Sequence, residues 1–77
     1  MLNQETYRLK VVRLDTGELE VIGNRAALKD LADICQGLSE LSDDQAKTPA
    51  NHYHIADYMN NADDGSLELI IRYDPSL

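Results

Sequence analysis

The sequence predicts an α+β fold: a two-layer sandwich in the order β-β-α-β-β, with a four-stranded sheet and one helix packed on one face. Three observations predict it. Apolar residues alternate at period two in four short stretches, they recur at helical spacing in one central stretch, and turn-forming residues mark each change of period. With 77 residues the chain has room for a single domain over residues 1–77. A chain of this length buries only about 60% of its unfolded surface, so its core is thin.

In the first strand, over residues 6–14, Tyr7, Leu9 and Val11 alternate with Arg8 and Lys10. The phase slips at Val11-Val12, which fits a bulge or burial on both faces. Asp15-Thr16-Gly17 reads as a hairpin turn, with Gly17 supplying the positive φ that a short loop needs. Leu19 and Val21 then alternate with Glu18 and Glu20 as the second strand. Gly23-Asn24 punctuates the change of period, and Asn24 is a good N-cap because its side-chain oxygen can accept from an orphan amide. Beyond it Leu28, Leu31, Ile34/Cys35, Leu38 and Leu41 recur at helical spacing, so a helix is expected to about Leu41. Leu28, Leu31 and Leu38 are expected to pack on Leu9, Val21, Ile55 and Leu69.

Residues 42–50 are polar, contain Pro49 and read as a loop. Tyr53 and Ile55 on one face and His52 and His54 on the other predict a third strand over residues 51–56. The Asn- and Asp-rich stretch 57–65 is a loop. The last strand, residues 66–73, places Leu67, Leu69, Ile71 and Tyr73 on one face and Glu68, Ile70 and Arg72 on the other; Asp74-Pro75 stops it. One helix covers one face of such a sheet, which leaves the second face to water or a partner.

Hydrophobic residues make up 43% of the chain, an ordinary value for a globular domain. The aromatic set is four Tyr with no Phe or Trp. A thin core of this kind leaves little room for a deep ligand pocket of roughly 300–1,000 Å³, which argues against an enzyme. The formal charge of −7 is unevenly distributed: residues 1–29 carry net +1 and residues 30–77 net −8. Nucleic acid binding needs a basic footprint, so it is not expected. An acidic half favours a basic protein partner; its plainer role is solubility. Cys35 is the only cysteine and reads as a small buried hydrophobe on the helix. The N-terminal residues lack the order of a signal peptide, and no apolar run exceeds three residues. A cytoplasmic location without membrane association is therefore expected.

The motifs that invite chemistry mostly have plainer readings. Asp15-Thr16-Gly17 has the letters of the aspartic-protease signature, but that chemistry needs two carboxylates sharing a proton in a cleft. His52 and His54 point the same way on a strand, with Asp57 nearest as a third group. That spacing is a weak metal signature, and no metal or cofactor is expected. Starting an EF-hand loop at Asp57 puts Met59 at position 3 and Ala62 at position 6, so the calcium pattern fails. Cys35 in mid-helix lacks the field of a helix N-terminus that would activate a thiolate. Asp30, Asp33, Glu40 and Asp44 fall along one solvent-facing stripe of the helix. That stripe is either simply solvated or an acidic docking strip.

Gly23-Asn24-Arg25-Ala26-Ala27-Leu28 with Leu31-Ala32, then His52-Tyr53-His54-Ile55, then Gly65-Ser66-Leu67-Glu68-Leu69-Ile70-Ile71 resemble the immunity protein 32 family of bacterial polymorphic toxin systems. The likeness runs from about Tyr7 to Tyr73. It implies a non-catalytic protein that binds and silences a cognate toxin in the cytosol, encoded just downstream of a toxin gene. Many toxins of these systems are nucleases, and a basic nuclease would suit the acidic half of this chain on grounds of charge. The candidate partner-binding residues are His52, His54, Glu68, Ile70 and Arg72 on the open sheet face, then Asp30, Asp33 and Glu40 on the helix. The alternative is a structural or interaction module that forms a homodimer through the same face. A small metal-dependent enzyme built on the two histidines is a third, remote reading.

Overall fold

A computed structural model describes residues 6–77. The elements follow the expected order: β1 (Leu9–Arg13), β2 (Leu19–Gly23), α1 (Arg25–Ser39), β3 (His52–Ile55) and β4 (Leu69–Arg72). Short 3-10 turns at Gln45–Lys47, Pro49–Asn51 and Asp57–Met59 organise the two connections that the sequence left as loops. Among the described residues, no helix is long and apolar enough to cross a membrane.

The fold is α+β, but the strands form two antiparallel ladders, β1-β2 and β3-β4, in place of one four-stranded sheet. The reason lies in residues 63–67, which run alongside β1 in the same direction. Asp63 N donates to Leu9 O at 2.7 Å and Leu67 N to Val11 O at 2.9 Å. Four residues on one side thus span two on the other. The excess is taken up by a turn in which Ser66 N donates to Asp63 O at 3.1 Å and Gly65 adopts φ 81°, a conformation that favours glycine. Ser66 Oγ also accepts from Val11 N at 2.8 Å, so this edge of β1 is covered. A regular ladder cannot pass through such a turn, and only Leu69–Arg72 of the expected last strand pairs as a strand. The Arg8 guanidinium grips the Asp63 carboxylate, with Nε 3.1 Å from both oxygens and NH2 2.6 Å from Oδ2.

Within the first hairpin the ladder is continuous from Leu9↔Gly23 to Arg13↔Leu19, with no bulge at Val11-Val12. Leu9 and Val11 are buried on one face, while Lys10 and Val12 are half-buried on the other. Gly17 takes φ 90° in the turn, as expected. Gly23 is needed for a second reason: a Cβ there would meet Leu9 Cδ1 at 3.0 Å and Leu28 Cδ2 at 3.2 Å.

The expected cap closes the start of α1. Asn24 Oδ1 accepts from Ala27 N at 3.0 Å and from Arg8 N at 3.2 Å, which ties the helix to the strand before it. The inward face of the helix keeps Leu31, Ile34 and Leu38 of the expected stripe but takes Ala27 in place of Leu28. Ala27 is fully buried, and Leu31, Ile34 and Leu38 are half-buried at offsets of four, seven and eleven from it. Leu28 and Cys35, seven apart, therefore share a flank: Leu28 is 47% exposed and Cys35 is exposed. The expected burial of Cys35 is thus corrected, as is the packing of Leu28 and of Val21, which is 39% exposed. Near the helix C-terminus an open cleft of about 200 Å³ separates Cys35 and Leu38 from Ile71 and Tyr73. The helix ends at Ser39, with the Glu40 amide donating to Gly37 O at 3.2 Å and the Leu41 amide to Leu38 O at 3.3 Å, so Asp44 lies beyond it.

The core is small. Leu9, Ala27 and Ile55 form its centre, and Tyr7, Leu31, Ala62, Leu69 and Ile71 pack around them. Leu9, Ile55, Leu69 and Ile71 all face the helix, so among the described residues the opposite face of β3-β4 carries no helix.

Candidate functional site

The face of β3-β4 away from the helix is set by the register. His52 pairs with Arg72 and His54 with Ile70, while Tyr53 pairs with Ile71 and Ile55 with Leu69. Because side chains alternate across a strand, His52, His54, Ile70 and Arg72 share the open face, and Glu68, two residues before Ile70, joins them. The five sheet-face residues singled out from the sequence are therefore brought together.

Neighbouring segments hold these side chains in place. Asn61 accepts from Ala56 N at 2.8 Å and donates from Nδ2 to His54 O at 2.9 Å, which pins the end of β3. Tyr7 OH in turn donates to Asn61 O at 2.8 Å. At the other end, Tyr73 N donates to Asn51 O at 2.9 Å, and the Asn51 Nδ2 group donates to Ala46 O at 3.1 Å.

Three side chains make the central network of the face. His54 Nδ1 lies 2.9 Å from Glu68 Oε2, and Tyr58 OH donates to the same oxygen. A carboxylate only accepts, so His54 carries its proton on Nδ1 in this contact. The Tyr58 hydroxyl and then the His54 contact hold the Glu68 carboxyl below the usual carboxylate range, against a smaller opposing effect of desolvation. The reciprocal effect raises the Tyr58 hydroxyl above its ordinary value, chiefly through its hydrogen bond to Glu68. His52 Nδ1 lies 2.7 Å from Asn51 Oδ1, and the two imidazole rings meet edge to face with centroids 4.8 Å apart. Arg72 reaches Asp74 at 3.4 Å. Among the described residues, no group of three or more His, Cys, Asp or Glu is placed to hold a metal ion.

Tyr58 is the part of this face that sequence reasoning missed. It sits in the 3-10 turn Asp57–Met59, outside any strand alternation, and is 65% exposed. A large aromatic standing in an otherwise Asn- and Asp-rich loop was the signal that could have found it.

The helix residues are not part of this arrangement. Asp30, Asp33 and Glu40 are exposed, but the helix packs on the other face of β3-β4. One flat partner surface cannot touch both groups.

A second grouping of exposed side chains lies on the first hairpin. Leu19 and Val21, with Leu28 of the helix, are exposed on the side where the helix falls short of covering β2.

Comparison with known families is decisive on one point. The model of the family described as immunity protein 32 matches residues 18–74, which include β2, α1, β3 and β4. This chain belongs to the immunity protein 32 family. No curated protein and no solved structure matches it. For this immunity protein 32 member, family membership points to toxin immunity and to a protein partner, the toxin. The matched span contains the entire open face and the helix; of the resemblance read from Tyr7 onward, it covers the portion that starts at Glu18.

Proposed function

We propose that this chain neutralises a cognate toxin in the bacterial cytosol by binding it, with no catalytic step of its own. The toxin docks on the open face formed by His52, His54, Tyr58, Glu68, Ile70 and Arg72, and occlusion of the toxin is the mechanism. One observation carries this reading. Ile70, 54% exposed, stands on a face without a helix, ringed by polar and charged side chains that the fold already holds in place. An apolar centre inside a polar rim is the usual composition of a protein interface. The net −8 of residues 30–77 adds long-range attraction for a basic toxin domain, and Asp30, Asp33 and Glu40 contribute to that field from the other layer.

Co-expression with the product of the adjacent toxin gene tests the function. The wild-type chain should restore growth, while Ile70→Asp and Arg72→Glu should fail to do so although the protein accumulates normally. Full rescue by both variants would remove the open face from the mechanism.

Self-association through the same face is a second reading with one observation in its favour. Glu68 and Arg72 lie two residues to either side of Ile70, so a two-fold axis over Ile70 would set each against the other in a second copy. A single monomeric species in sedimentation at high protein concentration would dismiss it.

A further inference from the structure

We propose that Glu68 is a preformed receptor for one basic side chain of the toxin, an arginine or a lysine. The inference rests on the open face being the toxin-binding surface, and it names the chemistry that this face recognises.

Both hydrogen bonds to the Glu68 side chain converge on one oxygen. Tyr58 OH and His54 Nδ1 both meet Oε2, and Oε1 takes part in neither bond. The side chain is nonetheless 40% exposed. The carboxylate is thus fixed in direction while one oxygen stays open to an incoming donor. Fixing a side chain before the encounter removes the ordering cost that binding would otherwise carry.

The nearby cation does not fill this role. Arg72 lies on the same face but is engaged by Asp74. The same hydrogen bonds hold the Glu68 carboxyl below the usual carboxylate range, so its charge is available to a partner. Beside it, the exposed Tyr58 ring offers a π-face against which a guanidinium or ammonium group can lie, and that contact adds to the attraction for a cation. An arginine suits the pair best, because its planar group can donate to a carboxylate and lie on an aromatic ring at once. Ile70 next to the site excludes water when a partner closes over it, which strengthens a charge-assisted hydrogen bond there.

The test measures binding of the full chain to the toxin domain encoded by the adjacent gene, by calorimetry at low and at high salt. Glu68→Gln keeps the shape of the side chain and removes its charge. It should raise Kd by about tenfold or more at low salt and reduce the dependence of Kd on salt. Tyr58→Phe keeps the ring and removes one of the two anchoring hydrogen bonds; it should raise Kd by a smaller factor, and Tyr58→Ala by a larger one. Thermal melts close to wild type would show that these exposed substitutions leave the fold intact. If Glu68→Gln binds within about twofold of wild type while Ile70→Asp weakens binding at least about tenfold, the face stands and the cation receptor falls. If neither substitution changes Kd, the face falls as well, and the receptor with it.

Discussion

Two isoleucines on opposite faces of the β3-β4 ladder allow fold and function to be separated by one pair of substitutions. Ile55 is 0% exposed and packs with Leu9 and Ala27 at the centre of the core. Ile55→Ala removes three carbons. At about 0.8 kcal/mol for each buried methylene, the lost transfer energy is roughly 2.4 kcal/mol. The cavity left behind raises this to about 3–4 kcal/mol, within the range of buried large-to-small changes. A domain of this size has a total stability of roughly 4–12 kcal/mol, so Ile55→Ala should remove a large fraction of it. At about 4–8 °C per kcal/mol the melting temperature should fall by at least ~12 °C. Ile70 is 54% exposed, and solvent fills the space that truncation leaves. Ile70→Ala should therefore cost about 1 kcal/mol or less. Urea denaturation of the two variants measures the difference. Equal losses, or a larger loss at Ile70, would mean that the register of β3-β4 or the face covered by the helix is wrong.

Other expectations follow from single contacts. Cys35 lies on the exposed flank of α1, so it should react with a thiol reagent nearly as fast in the native protein as in denaturant; strong native protection would contradict that placement. Asn24→Ala removes the acceptor for the Ala27 and Arg8 amides, and chemical denaturation should show a loss of about 0.5–2 kcal/mol; a loss near zero would mean that the cap does not hold. Asp63 has its carboxyl pulled below the usual carboxylate range, first by its hydrogen bond with Arg8. A carboxyl with a lower value folded than unfolded contributes stability above its unfolded value and loses it as pH falls through the folded value. Asp63→Asn should thus flatten the acid limb of a stability-versus-pH curve, and an unchanged limb would show that the pair contributes nothing there.

Much of this fold was legible from periodicity, and what was not has identifiable causes. The strand alternations found all four strands in order, and Asn24 and Gly17 marked the cap and the hairpin turn because their roles depend on local backbone chemistry. The division into two ladders was not legible, since a run such as Ser66-Leu67-Glu68-Leu69 alternates equally well whether or not the preceding turn lets it pair. On the helix, Leu31, Ile34 and Leu38 were placed correctly, but Leu28 and Cys35 were not. Leu28 and Cys35 look more apolar than Ala27, yet Ala27 is the helix residue that packs with Leu9 and Ile55 at the centre of the core, while Leu28 stays 47% exposed. At the candidate site, period two placed His52, His54, Glu68, Ile70 and Arg72 on one face because their spacing within each strand decides it. Tyr58 reaches that face from a 3-10 turn across a loop, through a tertiary contact that no local pattern encodes.

The central claim is that the toxin covers the open face of β3-β4, and amide chemical shifts of the isotope-labelled chain on titration with the toxin domain of the adjacent gene test it most directly. The largest shifts should cluster at His52, His54, Tyr58, Glu68, Ile70 and Arg72, with little change at Leu19, Val21 and Leu28. Shifts concentrated at Leu19, Val21 and Leu28, with His54 and Ile70 unmoved, would place the toxin on the first hairpin and contradict the assignment.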